Sequence, residues 1–130
     1  MLQYTSLSLA LIVLVAYYKR ATVIHHQWLA VLCTSLINHT AKNKIAWVRL
    51  LDQVLCHLNT AYCVRVLVYA PLTKWNIKIM IINGNIALYL LYVYHIGRQC
   101  HGPNEKLWHA SVHLISTVAV INTINLDIAA

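Results

Sequence analysis

Few side chains in this sequence could carry chemistry, and those that could lie within apolar stretches. The chain holds eight histidines, of which only His109 and His113 stand four residues apart, in Leu107-Trp108-His109-Ala110-Ser111-Val112-His113-Leu114. On a helix that spacing places both imidazoles on one face, one turn apart. Two such rings can share a metal ion, as they do in the HExxH motif, although a chain with this many histidines produces such a pair readily by chance. Ser35 and His39 repeat the spacing in Cys33-Thr34-Ser35-Leu36-Ile37-Asn38-His39. There the plainer reading is a packing serine bonded to a helix carbonyl and an interfacial histidine. Asp52, in Arg49-Leu50-Leu51-Asp52-Gln53-Val54, is one of three acids in the chain. A carboxylate in an apolar membrane helix is costly and points to function. The structural alternative is a salt bridge to Arg49, three residues earlier on the same helical face.

Composition limits the elements that can hold these residues. A length of 130 residues allows one domain, 1–130. The chain is 60% hydrophobic and 10% charged, against about 25% charged in an ordinary soluble domain. Such apolar content excludes disorder. Cys33, Cys56, Cys63 and Cys100 form no CxxC pair, and three glycines with two prolines exclude collagen-like and turn-dense all-β chains. The net charge of +7 does not imply nucleic acid, because the basic residues fall singly or in pairs between apolar runs rather than along one face.

Five apolar segments stand out, at 2–18, 21–39, 45–70, 75–96 and 107–126, with Pro71 closing the third and Gly102-Pro103 marking a turn before the fifth. They are too long for ordinary strands and lack the alternation of a membrane barrel. The sequence therefore predicts an all-α fold, a multi-pass transmembrane bundle of about five helices, with membrane lipid as its immediate partner. The first segment lacks a basic leader, which favours a span over a cleaved signal. Arg49, Asp52, His57 and Arg65 in the third segment must face protein or a wet cavity. Alternating crossings put Lys42, Lys44, Arg98 and Lys106 on one side and Lys19, Arg20, Lys74 and Lys78 on the other, so charge bias gives no orientation.

The same alternation puts His39, Asp52, His109, His113 and Ser35 at similar depth on one side. Three histidines with an open fourth position are the make-up of a catalytic zinc site. In order and spacing, Ser35 and His39, then Asp52, then His109 and His113 resemble the motifs of the CREST superfamily, which includes alkaline ceramidases, progestin and adipoQ receptors and hemolysin III proteins. Trp108-His109 and Arg49-Leu50-Leu51-Asp52 agree loosely with the flanks of those motifs. The family typically has seven helices; loss of a pair between the Asp and the last helix would preserve the sidedness. The resemblance implies zinc (Zn2+) held by His39, His109 and His113, with Asp52 as general base toward a metal-activated water. Ser35 would orient that water or stabilise an oxyanion. The implied reaction is hydrolysis of a lipid amide such as a ceramide.

Other readings stay open. His25 and His39 lie fourteen apart, as do His95 and His109, a spacing that could serve a haem-binding anchor, although Gly97 and Gly102-Pro103 interrupt the second pair. A non-enzymatic receptor or assembly factor would keep the cluster for packing. A transporter subunit would use His57, Arg65 and Asp52 as a relay. Asn38-His39-Thr40 matches a glycosylation sequon, read here as coincidence.

Overall fold

The computed structural model describes residues 6–42, 44–93, 95 and 105–127. Within them the chain is all-helical: α1 (Ser8–Tyr18), α2 (Thr22–Thr40), α3 (Ala46–Val68), α4 (Lys74–Tyr92) and α5 (Glu105–Ile124). No strand occurs among the described residues. Each helix falls within or close to one apolar segment of the sequence. Most of the long polar loop before α5, including Gly102-Pro103, lies outside the described residues.

Local chemistry sets the helix ends. Thr73 caps α4, its hydroxyl oxygen accepting the Asn76 backbone N–H at 3.1 Å, and Pro71 two residues earlier bars continuation of α3. The turns after α1 and α2 need a left-handed residue, which Arg20 (φ 56°) and Lys42 (φ 54°) supply without glycine. Ala21 N–H reaches the Ala16 carbonyl at 2.8 Å and Arg20 N–H the Tyr17 carbonyl at 3.1 Å, the paired bonds of a Schellman ending. Their basic side chains also suit the negative end of the helix dipole.

The short links after α1, α2 and α3 make each of these helices run antiparallel to the next. α1 packs against α2 and α5, α3 against α2, and α4 against α5, with a lighter contact between α3 and α5. The apolar centre joins Leu9, Ile12, Val13 and Ala16 of α1 to Ile24, Trp28 and Val31 of α2, Cys63 of α3 and Val120 of α5. One end of the bundle, called here the A end, gathers the start of α1, the end of α2 and the starts of α3 and α5. The opposite B end gathers the end of α3, the start of α4 and the end of α5.

Asparagines tie the B half together. Asn76, with no exposed surface, donates to the Pro71 and Asp127 carbonyls at 2.8 Å each and accepts the Asp127 N–H at 2.8 Å. Asn83 donates to the Ala119 carbonyl at 3.0 Å and to Thr123 Oγ1 at 3.2 Å, and accepts from Asn122 at 3.1 Å. We expect Asn76→Ala to cost about 2–4 kcal/mol, because it unpairs the Pro71 carbonyl and both backbone groups of Asp127 at the B end. Denaturant unfolding in detergent checks this, and an unchanged midpoint would refute it.

By length and composition, one described helix is apolar enough to cross a membrane, over Lys106–Ile124; Ser8–Tyr18 is apolar but shorter. Polar side chains interrupt the other three: His25, His26, Asn38 and His39 in α2, Arg49, Asp52 and Arg65 in α3, and Lys74, Lys78 and Asn83 in α4.

Candidate metal centre

Four helices deliver side chains to the A end. α2 carries His39 in its last turn, and α5 carries His109 and His113 in its first two turns. Candidate ligand nitrogens of the three imidazoles all lie within 4.8 Å of one another. Their ring centroids are 5.1 Å apart for His39–His109, 5.2 Å for His39–His113 and 5.0 Å for His109–His113. His39 and His113 are buried, at 5% and 8% exposure, and His109 is the most accessible of the three.

Among the described residues neither ring nitrogen of buried His39 has a hydrogen-bond partner. A neutral imidazole has one donor and one acceptor, and leaving either unmet costs about 1–3 kcal/mol. A metal ion bound by one nitrogen removes part of that cost. Tetrahedral zinc holds nitrogens at about 2.0–2.1 Å, hence about 3.3 Å apart, so the widest pair, at most 4.8 Å, needs to close by no more than about 1.5 Å. The donor set therefore fits a metal ion. Imidazole alone suits zinc, copper, nickel and iron alike.

Asp52 lies in the second turn of α3, buried at 8% exposure, and faces α2. Its Oδ1 accepts from Thr34 Oγ1 at 3.1 Å and its Oδ2 from Asn38 Nδ2 at 3.4 Å. It is within electrostatic reach of His39. Among the described residues no ion pair joins it to Arg49, which is exposed. The salt-bridge reading of Asp52 is thus replaced by a clamp between α2 and α3.

Among the described residues the hydrogen bond of Ser35 is to Ser6 rather than to an imidazole. Its Oγ is 3.0 Å from Ser6 Oγ, and Ser6 Oγ is 3.3 Å from His113 Nδ1. The sequence reading overlooked Ser6, Thr34 and Asn38. Thr34 and Asn38 repeat the four-residue spacing of Ser35 and His39 one position earlier, and that was a usable signal. Ser6 offered only a hydroxyl within an apolar run. Asn38, at 4% exposure, is too buried for glycosylation, in keeping with a coincidental sequon.

The other sequence candidates are not drawn into this group. His25 sits toward the far end of α2, its Nδ1 3.0 Å from the Val13 carbonyl and its ring 5.6 Å from Tyr17. His57 and Arg65 are exposed on α3, away from buried Asp52. A cleft lined by Ile86, Tyr89, Ile115 and Val118 lies on the side of α5 opposite His109 and His113, as helical periodicity requires.

Comparison with protein-family models, with curated proteins and with solved structures gives no match. Among the described residues the chain is an all-α bundle of five helices with a three-histidine group at one end, able to hold a metal ion.

Proposed function

We propose that this chain is a multi-pass membrane protein whose His39, His109 and His113 bind zinc, and that it hydrolyses a lipid amide, as its resemblance to the CREST superfamily implies. The observation that carries the reading is buried His39, both nitrogens without a partner among the described residues, set against two imidazoles of another helix.

An inverted distribution of polarity supports membrane embedding. Leu14, Leu50, Leu58, Ile81 and Leu88 are each at least 60% exposed, whereas Asn59, Asn76, Asn83, Thr117 and Thr123 are buried. A bundle in lipid leaves its apolar side chains outside and uses polar ones between helices. Exposed Tyr17, Tyr18, Tyr69 and Trp75 ring the B end, and Trp47 marks the A end, as interfacial aromatics do. From Trp47 to Tyr69, α3 spans about 33 Å at 1.5 Å per residue, close to the ~30 Å hydrocarbon layer. Five crossings place the ends of the chain on opposite sides. Reporter fusions at each end should therefore read opposite compartments, and one compartment for both would refute the odd count.

His39, His109 and His113 would hold the zinc, which would supply Lewis acidity toward the carbonyl and water at this site. Asp52 accepts the proton lost as water adds to the amide carbonyl. The C–N bond then breaks, the amine leaves with that proton, and a fatty acid is the other product. Thr34 and Asn38 hold the carboxylate in place through their hydrogen bonds. The test is fatty-acid release from a long-chain N-acyl amino alcohol in mixed micelles, lost with a chelator and restored by zinc. Absence of any metal-dependent release would refute the hydrolase.

The two hydrogen bonds on Asp52 favour one second reading. In it Asp52 ties α2 to α3 and the metal ties α2 to α5, in a non-enzymatic membrane protein. Zinc binding without hydrolysis would select it.

A further inference from the structure

Ser6, just before α1, and Ser8, at its start, hold His113 from two sides. Ser6, with no exposed surface, approaches its ring, with Oγ 3.3 Å from Nδ1. Ser8 Oγ lies 3.5 Å from the His113 backbone carbonyl and 3.2 Å from Thr117 Oγ1, and Thr117 donates to the same carbonyl at 2.8 Å. α1 is thus fixed to the stretch of α5 that presents the candidate ligands.

A histidine that binds a metal through one ring nitrogen generally donates the N–H of the other to a fixed acceptor, which sets its tautomer and ring orientation. Ser6 is such an acceptor for His113 Nδ1. Its own proton can then pass to Ser35 Oγ, 3.0 Å away. In that chain His113 donates to Ser6 and Ser6 donates to Ser35, which leaves His113 Nε2 as the lone-pair nitrogen. With Nδ1 facing Ser6, Nε2 is the nitrogen free to meet His39 and His109.

We propose that Ser6 is a positioning residue of the metal centre: through its hydrogen bond to Nδ1 it makes Nε2 the ligating atom of His113, and it draws Ser35 into the same outer shell. The proposal rests on the metal-binding reading above. It gives Ser35 a place beside a ligand that differs from direct contact with a substrate oxygen.

The test uses the full chain in detergent, with Co2+ as the probe and 15N-labelled histidine. In metal-free wild type, the His113 signal, assigned by its loss in His113→Ala, should show the Nδ1–H tautomer. In Ser6→Ala that preference should be lost, and Co2+ affinity should fall about 10–100-fold. Ser6→Thr, which keeps the hydroxyl, should restore both. A purely structural serine would change stability without altering the tautomer. Wild type that binds Co2+ alongside a Ser6→Ala variant of unchanged affinity or tautomer would overturn the proposal while leaving the three-histidine site intact. Wild type that takes up no Co2+ would overturn the metal reading itself, and this inference with it.

Discussion

Protein purified in mild detergent should carry about one zinc per chain, and His109→Ala/His113→Ala should reduce this to below about a tenth. The size of the effect follows from where the ligands come from. Three imidazoles from two helices meet within 4.8 Å, and removing both from α5 leaves His39 alone, with no second nitrogen to chelate. The variant should nonetheless fold. His109 is the most accessible of the three rings, and the apolar centre built on Ile12, Val31 and Val120 does not involve either residue. Elemental analysis beside far-UV circular dichroism separates the outcomes. Equal metal content in both proteins would place the ion elsewhere, and a folded wild type without metal would reduce the cluster to a packing feature.

Asp52→Asn should retain zinc and lose about 10²–10⁴-fold in lipid-amide hydrolysis, the usual range for removal of a general base. An amide cannot accept the proton that a carboxylate takes. The structure also explains why this variant should fold. Thr34 can still donate to the remaining carbonyl oxygen. Among the described residues Asn38 Oδ1 is buried with no partner, so a flip of the Asn38 amide sets that oxygen against the new NH2 group and keeps one hydrogen bond between α2 and α3. The clamp between α2 and α3 is kept while the base is lost. Zinc content, unfolding midpoint and turnover are the three measurements. Full activity would remove Asp52 from the chemistry. A collapse of the fold in a wild-type background free of metal would make it the structural partner of Thr34 and Asn38 alone.

The sequence by itself determined the five helices found among the described residues, their approximate limits and their alternation. Runs of about 20 apolar residues admit little else, and Pro71 and the polar links mark where the chain must turn. Alternation in turn put His39, Asp52, His109 and His113 at one end, and the four-residue spacing put His109 and His113 on one face. The tertiary structure decided how each helix is rotated about its axis. α1 is apolar nearly all round, so no pattern along it indicates which side faces inward; packing against α2 and α5 turns Ser6 toward Ser35 and His113. On α3, Arg49 and Asp52 are near enough in sequence to pair, yet packing turns Asp52 to Thr34 and Asn38 and leaves Arg49 outside. His39 could have met a carbonyl or a hydroxyl; the approach of α5 instead sets its ring 5.1 Å from that of His109 and 5.2 Å from that of His113. Spacing along a helix fixes which residues share a face, whereas the partner of that face is fixed by side-chain packing between segments far apart in the chain.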